Sequence, residues 1–190
     1  MGHSQADKAE SRDRIVQVAA ARFRESGLNG IGLADLMKDA GLTHGGFYRH
    51  FDSRDELVAE AVERALQEGA RALDAVARIS KSRLAAVVDA YLSRAHCDDL
   101  ATSCAVTTLA SDVARGNDRA RAAYTRQVGR YLELLTKLIP ALGQRSQRRK
   151  AIAALSTLVG AVSIARAVNS KKLSREILNS VADELKAQLG

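Results

Sequence analysis

Apolar residues recur along this chain at steps of one, three and four, the spacing of a helix face. Ile15, Val16, Ala19, Ala20 and Phe23 form one stripe and predict a first helix. Gly27 suits the left-handed position that stops it, with Leu28 placed to fold back on Phe23. After a loop over residues 29–32, Leu33, Leu36, Met37 and Ala40 face one way, and Asp35, Lys38 and Asp39 face the other. Gly41 ends this short second helix, and Leu42 can reach Met37. Thr43 is a good N-cap for a third helix over residues 44 to about 50, with Leu42 and Phe47 placed as a hydrophobic staple. Only Gly41, Leu42 and Thr43 separate helices two and three, the spacing of a helix-turn-helix.

On a helical wheel, Phe47 and Phe51 define the buried side of the third helix. Gly45, Gly46 and Arg49 lie opposite, His44 and Tyr48 share one flank, and His50 sits on the other. Such a face suits a major groove. The glycines permit close backbone approach, an Arg can contact guanine through two hydrogen bonds, and Tyr and His can donate to phosphates. The predicted DNA contacts are Thr43, His44, Gly45, Gly46, Tyr48, Arg49, His50 and Arg54, with Arg49 and His44 as the base readers. Ser53 and Glu56 form a capping box that opens a fourth helix, and Arg54 in its first turn is placed to hold a backbone phosphate.

Beyond residue 57 the pattern stays helical. Leu57, Val58, Ala61, Val62, Ala65, Leu66 and Leu73 predict that the fourth helix runs from 53 to about 79. A helix carrying Leu84, Val87, Val88, Tyr91 and Leu92 restarts at Ser80 or Ser82. Residues 96–103 read as a polar loop and 104–114 as a short helix. A helix from about Asp118 carries Tyr124, Val128, Tyr131, Leu132, Leu135 and Leu138, closed by Pro140 and Gly143. Two more helices span about 147–168 and 174–189.

Composition agrees. A single Pro, no Trp and abundant Ala, Leu and Arg exclude an all-β fold, so the fold class is all-α with about nine helices. The net charge of +7 suggests nucleic acid, but residues 1–52 hold seven basic and seven acidic groups. The excess lies in 53–190, so bulk charge does not mark the DNA reader. Residues 1–14 show no signal peptide, and the longest uncharged stretch, 151–165, is shorter than the roughly 20 residues of a membrane span. Two cysteines make no disulfide framework, which fits a cytoplasmic protein.

The ordered string from Ala40 to Leu57, AGLTHGGFYRHFDSRDEL, resembles the DNA-binding signature of the TetR family of bacterial transcriptional regulators. Gly32 stands where that family usually caps helix two with Thr or Ser, and Arg54 replaces its usual Lys. The resemblance implies a helix-turn-helix domain over 1–52 and a ligand-binding and dimerisation domain over 53–190. It further implies a homodimer on a palindromic operator, repression as the usual outcome, and release by a small-molecule effector. Pocket candidates are Leu66, Leu73, Tyr91 and Tyr124. Few aromatics and a basic domain disfavour a cationic drug and favour a neutral or anionic apolar effector. Dimer candidates are Leu155, Leu158, Val162, Leu178, Val181 and Leu185, and the small residues around Gly160 allow close helix approach.

No catalytic motif is present and no cofactor is expected. His96, Cys97, Asp98 and Asp99 lack the spaced pairs of a metal site and read as a polar loop. Cys97 and Cys104 read as small buried residues. The alternative function is a helical DNA-binding regulator without a small-molecule switch, constitutive or relieved by a protein partner or cysteine oxidation. A solid C-terminal core would favour that alternative.

Overall fold

The computed structural model describes residues 5–80, 82–140 and 143–189, and within them every regular element is a helix. In chain order these are α1 (Gln5–Ser26), α2 (Leu33–Asp39), a short 3-10 helix η1 (His44–Arg49), α3 (Arg54–Ile79) and α4 (Arg83–Tyr91). Then follow α5 (Arg94–Asp98), α6 (Ala105–Thr108), α7 (Ala110–Ala114), α8 (Asp118–Leu138), α9 (Gln144–Ala167) and α10 (Lys171–Leu189).

The expected glycine stops are present. Gly27 and Gly41 have φ of +77° and +71°, a region where a Cβ would be strained. Leu42 N–H returns to the Met37 carbonyl at 2.8 Å, which closes α2. These stops turn α1, α2 and η1 around a core that includes Phe23, Leu36, Met37, Phe47 and Phe51. The fourth helix of the sequence is α3, the longest in the fold. It packs against α1, α4, α6 and α8.

Three elements differ from the sequence pattern. The third helix is wound as a 3-10 helix, with Gly46 N–H on the Thr43 carbonyl and His50 N–H on the Phe47 carbonyl, both at 2.9 Å. Two adjacent glycines weaken the preference for an α-helix there. Residues 94–98 form a helical turn that takes in the start of the expected 96–103 loop, capped by Ser93 Oγ accepting from His96 N–H at 3.1 Å. The expected helix over 104–114 breaks at Leu109, just after Thr107 and Thr108, where Thr108 Oγ1 bonds back to the Cys104 carbonyl at 3.3 Å.

The expected dimer residues need correction. Leu155, Leu158, Val162, Leu178 and Leu185 are buried in the chain's own core, and Val181 is half-buried. The apolar residues of α9 lie on more than one side, and the side carrying Leu155, Leu158 and Val162 turns inward. The outward side of α9 carries Ile152, Ala153, Ser156, Thr157, Val159, Gly160, Ser163 and Ile164. Ile152 and Ile164 are 47% and 55% exposed. By length and composition alone, Arg145–Ala167 is apolar enough to cross a membrane, and 39% of that apolar window is buried within the protein. The same property marks a helix with a second face left to cover.

Candidate nucleic-acid interface and core cavity

The reading face is exposed because its opposite side is fixed. Phe47 and Phe51 are buried and stacked at 5.4 Å, anchoring η1 to the small N-terminal core. Burial of each ring contributes on the order of 1.5–3 kcal/mol. Tyr48 meets the edge of Phe47 at 5.2 Å, so its 70%-exposed ring has a fixed origin. Thr43, His44, Gly45, Tyr48 and Arg49 are all exposed. A Cβ on Gly45 would meet nothing within 4 Å, so that glycine is not required by internal packing. Thr43 sits at the N-cap position, but its hydroxyl makes no cap hydrogen bond.

Behind this face lies Arg12, a residue that sequence reasoning missed. One guanidinium nitrogen donates to the His50 carbonyl; another donates to Glu56 Oε1 at 2.8 Å and Glu60 Oε1 at 2.5 Å. Its carbon lies 4.1 Å from the Phe51 ring centre. Arg12 therefore ties the end of η1 to the first turns of α3. Glu56 also accepts from Asp52 N–H at 2.7 Å. That bond, followed by Arg12, holds the Glu56 carboxyl below its ordinary range. Farther along α1, the Asp13–Arg64 and Arg24–Glu68 pairs continue the junction with α3, the second at 2.9 Å with Arg24 buried. The helical spacing of Glu56, Glu60, Arg64 and Glu68 was the signal available in the sequence.

Two expected DNA residues occupy different roles. Arg54 donates from one nitrogen to the carbonyls of Leu28 and Ile31, at 2.7 and 2.9 Å. It fastens the α1–α2 loop to the start of α3 instead of standing free for a phosphate. His50 is half-buried, and its Nδ1 has no partner. Burial, then the nearby charges of Lys8, Arg12 and Arg49, lower its pKa. A groove of about 640 Å³ runs between the start of α1 and η1, and Lys8 and Ser11 line it together with Thr43, Tyr48 and Arg49. Neither Lys8 nor Ser11 was singled out from the sequence.

A second feature lies at the far end of α3. A cavity of about 580 Å³ is bounded by Gly69, Leu73 and Val76 of α3, Tyr91 of α4, His96 of α5, and Cys104 and Tyr131. Of the expected pocket residues, Leu73 and Tyr91 line it. Leu66 is buried in the core one turn short of Gly69. Tyr124 is engaged elsewhere, donating to the Val106 carbonyl at 2.8 Å, and burial pushes its phenol up to about 12. Tyr131, one further turn pair along α8, takes the place expected for Tyr124.

His96 reveals how the cavity wall is built. Cys104 N–H donates to His96 Nε2 at 3.0 Å, so that nitrogen carries no proton; Nδ1 carries it and donates to the Tyr91 carbonyl at 2.5 Å. Burial lowers the His96 pKa and keeps the ring neutral. Arg166 of α9 donates to the carbonyls of His96 and Cys97, at 2.7 and 2.8 Å, and to Ser103 Oγ. The cavity wall is thereby fastened to α9. Cys97 and Cys104 are free thiols, both buried. Among the described residues no cluster of His, Cys, Asp and Glu could hold a metal.

The structure thus combines a helix-turn-helix bearing an exposed Tyr-Arg face with a helical core that holds a cavity. Residues 15–61 match the family model described as bacterial regulatory proteins, tetR family. An uncharacterized HTH-type transcriptional regulator of Mycobacterium tuberculosis is 28% identical over 163 residues, covering 82% of this chain and 84% of that one. The HTH-type transcriptional repressor KstR2 of Mycolicibacterium smegmatis is 35% identical over 54 residues, 28% of this chain and 26% of that one. Among solved structures, a TetR transcriptional regulator from Chloroflexus aurantiacus superposes with a TM-score of 0.81 at 24% identity, over 96% of this chain and 97% of that one. The reduced form of NemR from E. coli gives 0.79 at 18%, over 94% and 96%. Residues 15–61 are thus similar to the DNA-binding segment of the tetR family, and the chain as a whole shares the fold of the solved regulators.

Proposed function

We propose that the protein is a dimeric repressor that reads a palindromic operator through η1 and is released when a small molecule fills the cavity beside α3. The observation that carries this reading is the continuity of α3. Its first turn is tied to η1 through Arg12, and its far half forms a wall of the cavity. Arg49 and His44 are the base readers; Tyr48, with Lys8 beside it, meets phosphates. Two readers about 34–36 Å apart would match successive major grooves. The dimer surface is the outward side of α9, where Ile152 and Ile164 are exposed and a Cβ on Gly160 would meet nothing within 4 Å. The cavity argues against the alternative of a regulator with a solid core and no ligand.

The test begins with genome-wide mapping of the bound DNA. Light scattering should then give twice 20.4 kDa for the free protein; a monomer at micromolar concentration would remove the dimer. Ligand titrations with and without operator should differ, because the coupling is reciprocal. Equal affinities in the two titrations would show that the molecule tested does not act on DNA binding.

A further inference from the structure

We infer that the cavity takes a neutral, mainly apolar molecule bearing one hydrogen-bond-accepting oxygen, such as a ketone or ester carbonyl, seated against the Tyr131 hydroxyl. The inference rests on the cavity being the effector site and narrows what that effector is.

Three observations carry it. First, the interior polar groups are already partnered, with one exception. Tyr91 Oη lies 2.7 Å from Thr107 Oγ1, and both nitrogens of His96 are bonded. The buried Tyr131 hydroxyl has only the Cys104 sulfur, at 3.5 Å, a weak partner for a phenol. An acceptor oxygen placed there would gain a hydrogen bond without displacing a strong one. Burial also raises the Tyr131 pKa, so the group remains a donor. Second, Gly69 leaves space for that hydroxyl, because a Cβ at this position would lie 3.0 Å from it.

Third, the charges around the cavity argue against both kinds of ion. Asp98 and Asp99 line it, and among the described residues no Lys or Arg does. A carboxylate or phosphate ligand would lose its water beside two carboxylates with no lining cation to pair it, which argues against the anionic half of the expectation from sequence. A cation would meet two carboxylates that face water, where its attraction to them is screened and where each already has a partner. Arg94 holds Asp98 at 2.7 Å, and the Thr102 hydroxyl holds Asp99 at 2.7 Å. The half-buried Arg166 behind the wall directs its donors to carbonyls of the protein and not into the cavity. A volume of about 580 Å³ suits a compact organic molecule.

The test uses three matched fluorescent probes: the naphthyl ketone prodan, its propyl analogue without the carbonyl oxygen, and its carboxylate analogue. Wild-type protein should bind the ketone tightest and the carboxylate at least about tenfold more weakly. The double variant Asp98→Asn with Asp99→Asn should narrow that gap. Tyr131→Phe should weaken the ketone about 5- to 10-fold and leave the propyl analogue within about twofold. Should Tyr131→Phe fail to fold, Gly69→Ala, which crowds the hydroxyl, should give the same selective loss. Ala72→Trp, on the cavity wall, should weaken all three probes. Carboxylate binding as tight as ketone binding would overturn the inference. So would an equal loss of ketone and propyl analogue in Tyr131→Phe, binding that survives Ala72→Trp, or no binding of any probe. Operator release by the ketone is scored separately: selective binding without release keeps the ligand class and removes the switch.

Discussion

The two ends of α3 handle polar groups in opposite ways. At the η1 end, one set of polar side chains is engaged within the protein and another is left exposed. Arg12 and Arg54 hold carbonyls and carboxylates behind η1, and Tyr48 and Arg49 project into solvent. At the cavity end the polar groups satisfy one another inside the wall, and a single hydroxyl, that of Tyr131, has only a thiol for company. A DNA reader needs many donors held ready for a charged polymer. A small-molecule site needs few, because every unmet buried polar group costs free energy when the site is empty. The contrast teaches that position alone does not mark a reading residue: Arg54 and Arg49 are both cations at the η1 end, but Arg54 is held by two carbonyls while Arg49 projects into solvent.

The largest effect should separate the two sides of α9. Leu158→Arg places a charge in a site 2% exposed and should cost about 3–5 kcal/mol or unfold the chain. Ile164→Arg, at a site 55% exposed, should keep the helical circular-dichroism signal and shift the light-scattering mass to 20.4 kDa. If both variants unfold, the outward side of α9 has been misassigned.

Next comes the division between holding and reading. Arg12→Ala should lower stability to urea by about 2 kcal/mol, reduced from a fully buried case because the side chain remains 30% exposed. Arg49→Ala should leave stability within about 0.5 kcal/mol. It should instead lose about 1–3 kcal/mol of discrimination between operator and scrambled DNA. Equal behaviour of the two variants would erase the distinction.

Arg54→Ala sharpens the same point at a smaller scale. Removing a charged donor from two carbonyls should cost about 1–2 kcal/mol in unfolding. The slope of log affinity against log salt should change by clearly less than the roughly one unit expected for a lost phosphate contact. A full unit with unchanged stability would return Arg54 to the phosphate.

The smallest effects lie in pH. His96 has a lowered pKa in the folded protein, so the unfolded chain takes up its proton first as pH falls below the ordinary 6.5. The wild type should therefore lose some stability on acidification below 6.5, and His96→Asn should lose less over that window. His50 acts in the same direction. Glu56 is also depressed, from an ordinary 4.5, so its contribution is present above 4.5 and disappears as pH falls through its folded value. Glu56→Gln should flatten that lower step alone. Melting temperature against pH for the three proteins reads both steps, and their absence from the wild type would contradict the two shifts.

The helix-turn-helix geometry was legible because its signals are contiguous. Gly41, Phe47, Phe51 and Ser53 lie within one short string, and each stops, anchors or caps a helix through local geometry. Arg12 was not legible, since its partners are 38, 44 and 48 positions away. The cavity drew on residues from Gly69 to Tyr131, and periodicity could not tell Tyr124 from Tyr131, two tyrosines seven apart on one helix. Likewise the apolar residues of α9 were visible, but only packing against α8 and α10 decides which side remains outside.

The 26 residues of α3 make a rod about 39 Å long at the usual rise per residue. From the cavity wall at Val76 to the first turn at Arg54 the arm is about 33 Å. A tilt of about 5° at the cavity end would carry the far tip about 3 Å. In a symmetric pair, two such displacements in opposite directions amount to about 6 Å, nearly two base-pair steps of roughly 3.4 Å. A molecule small enough for the cavity would thus need to move its wall by only a fraction of an ångström per turn to set the two readers out of phase with the DNA.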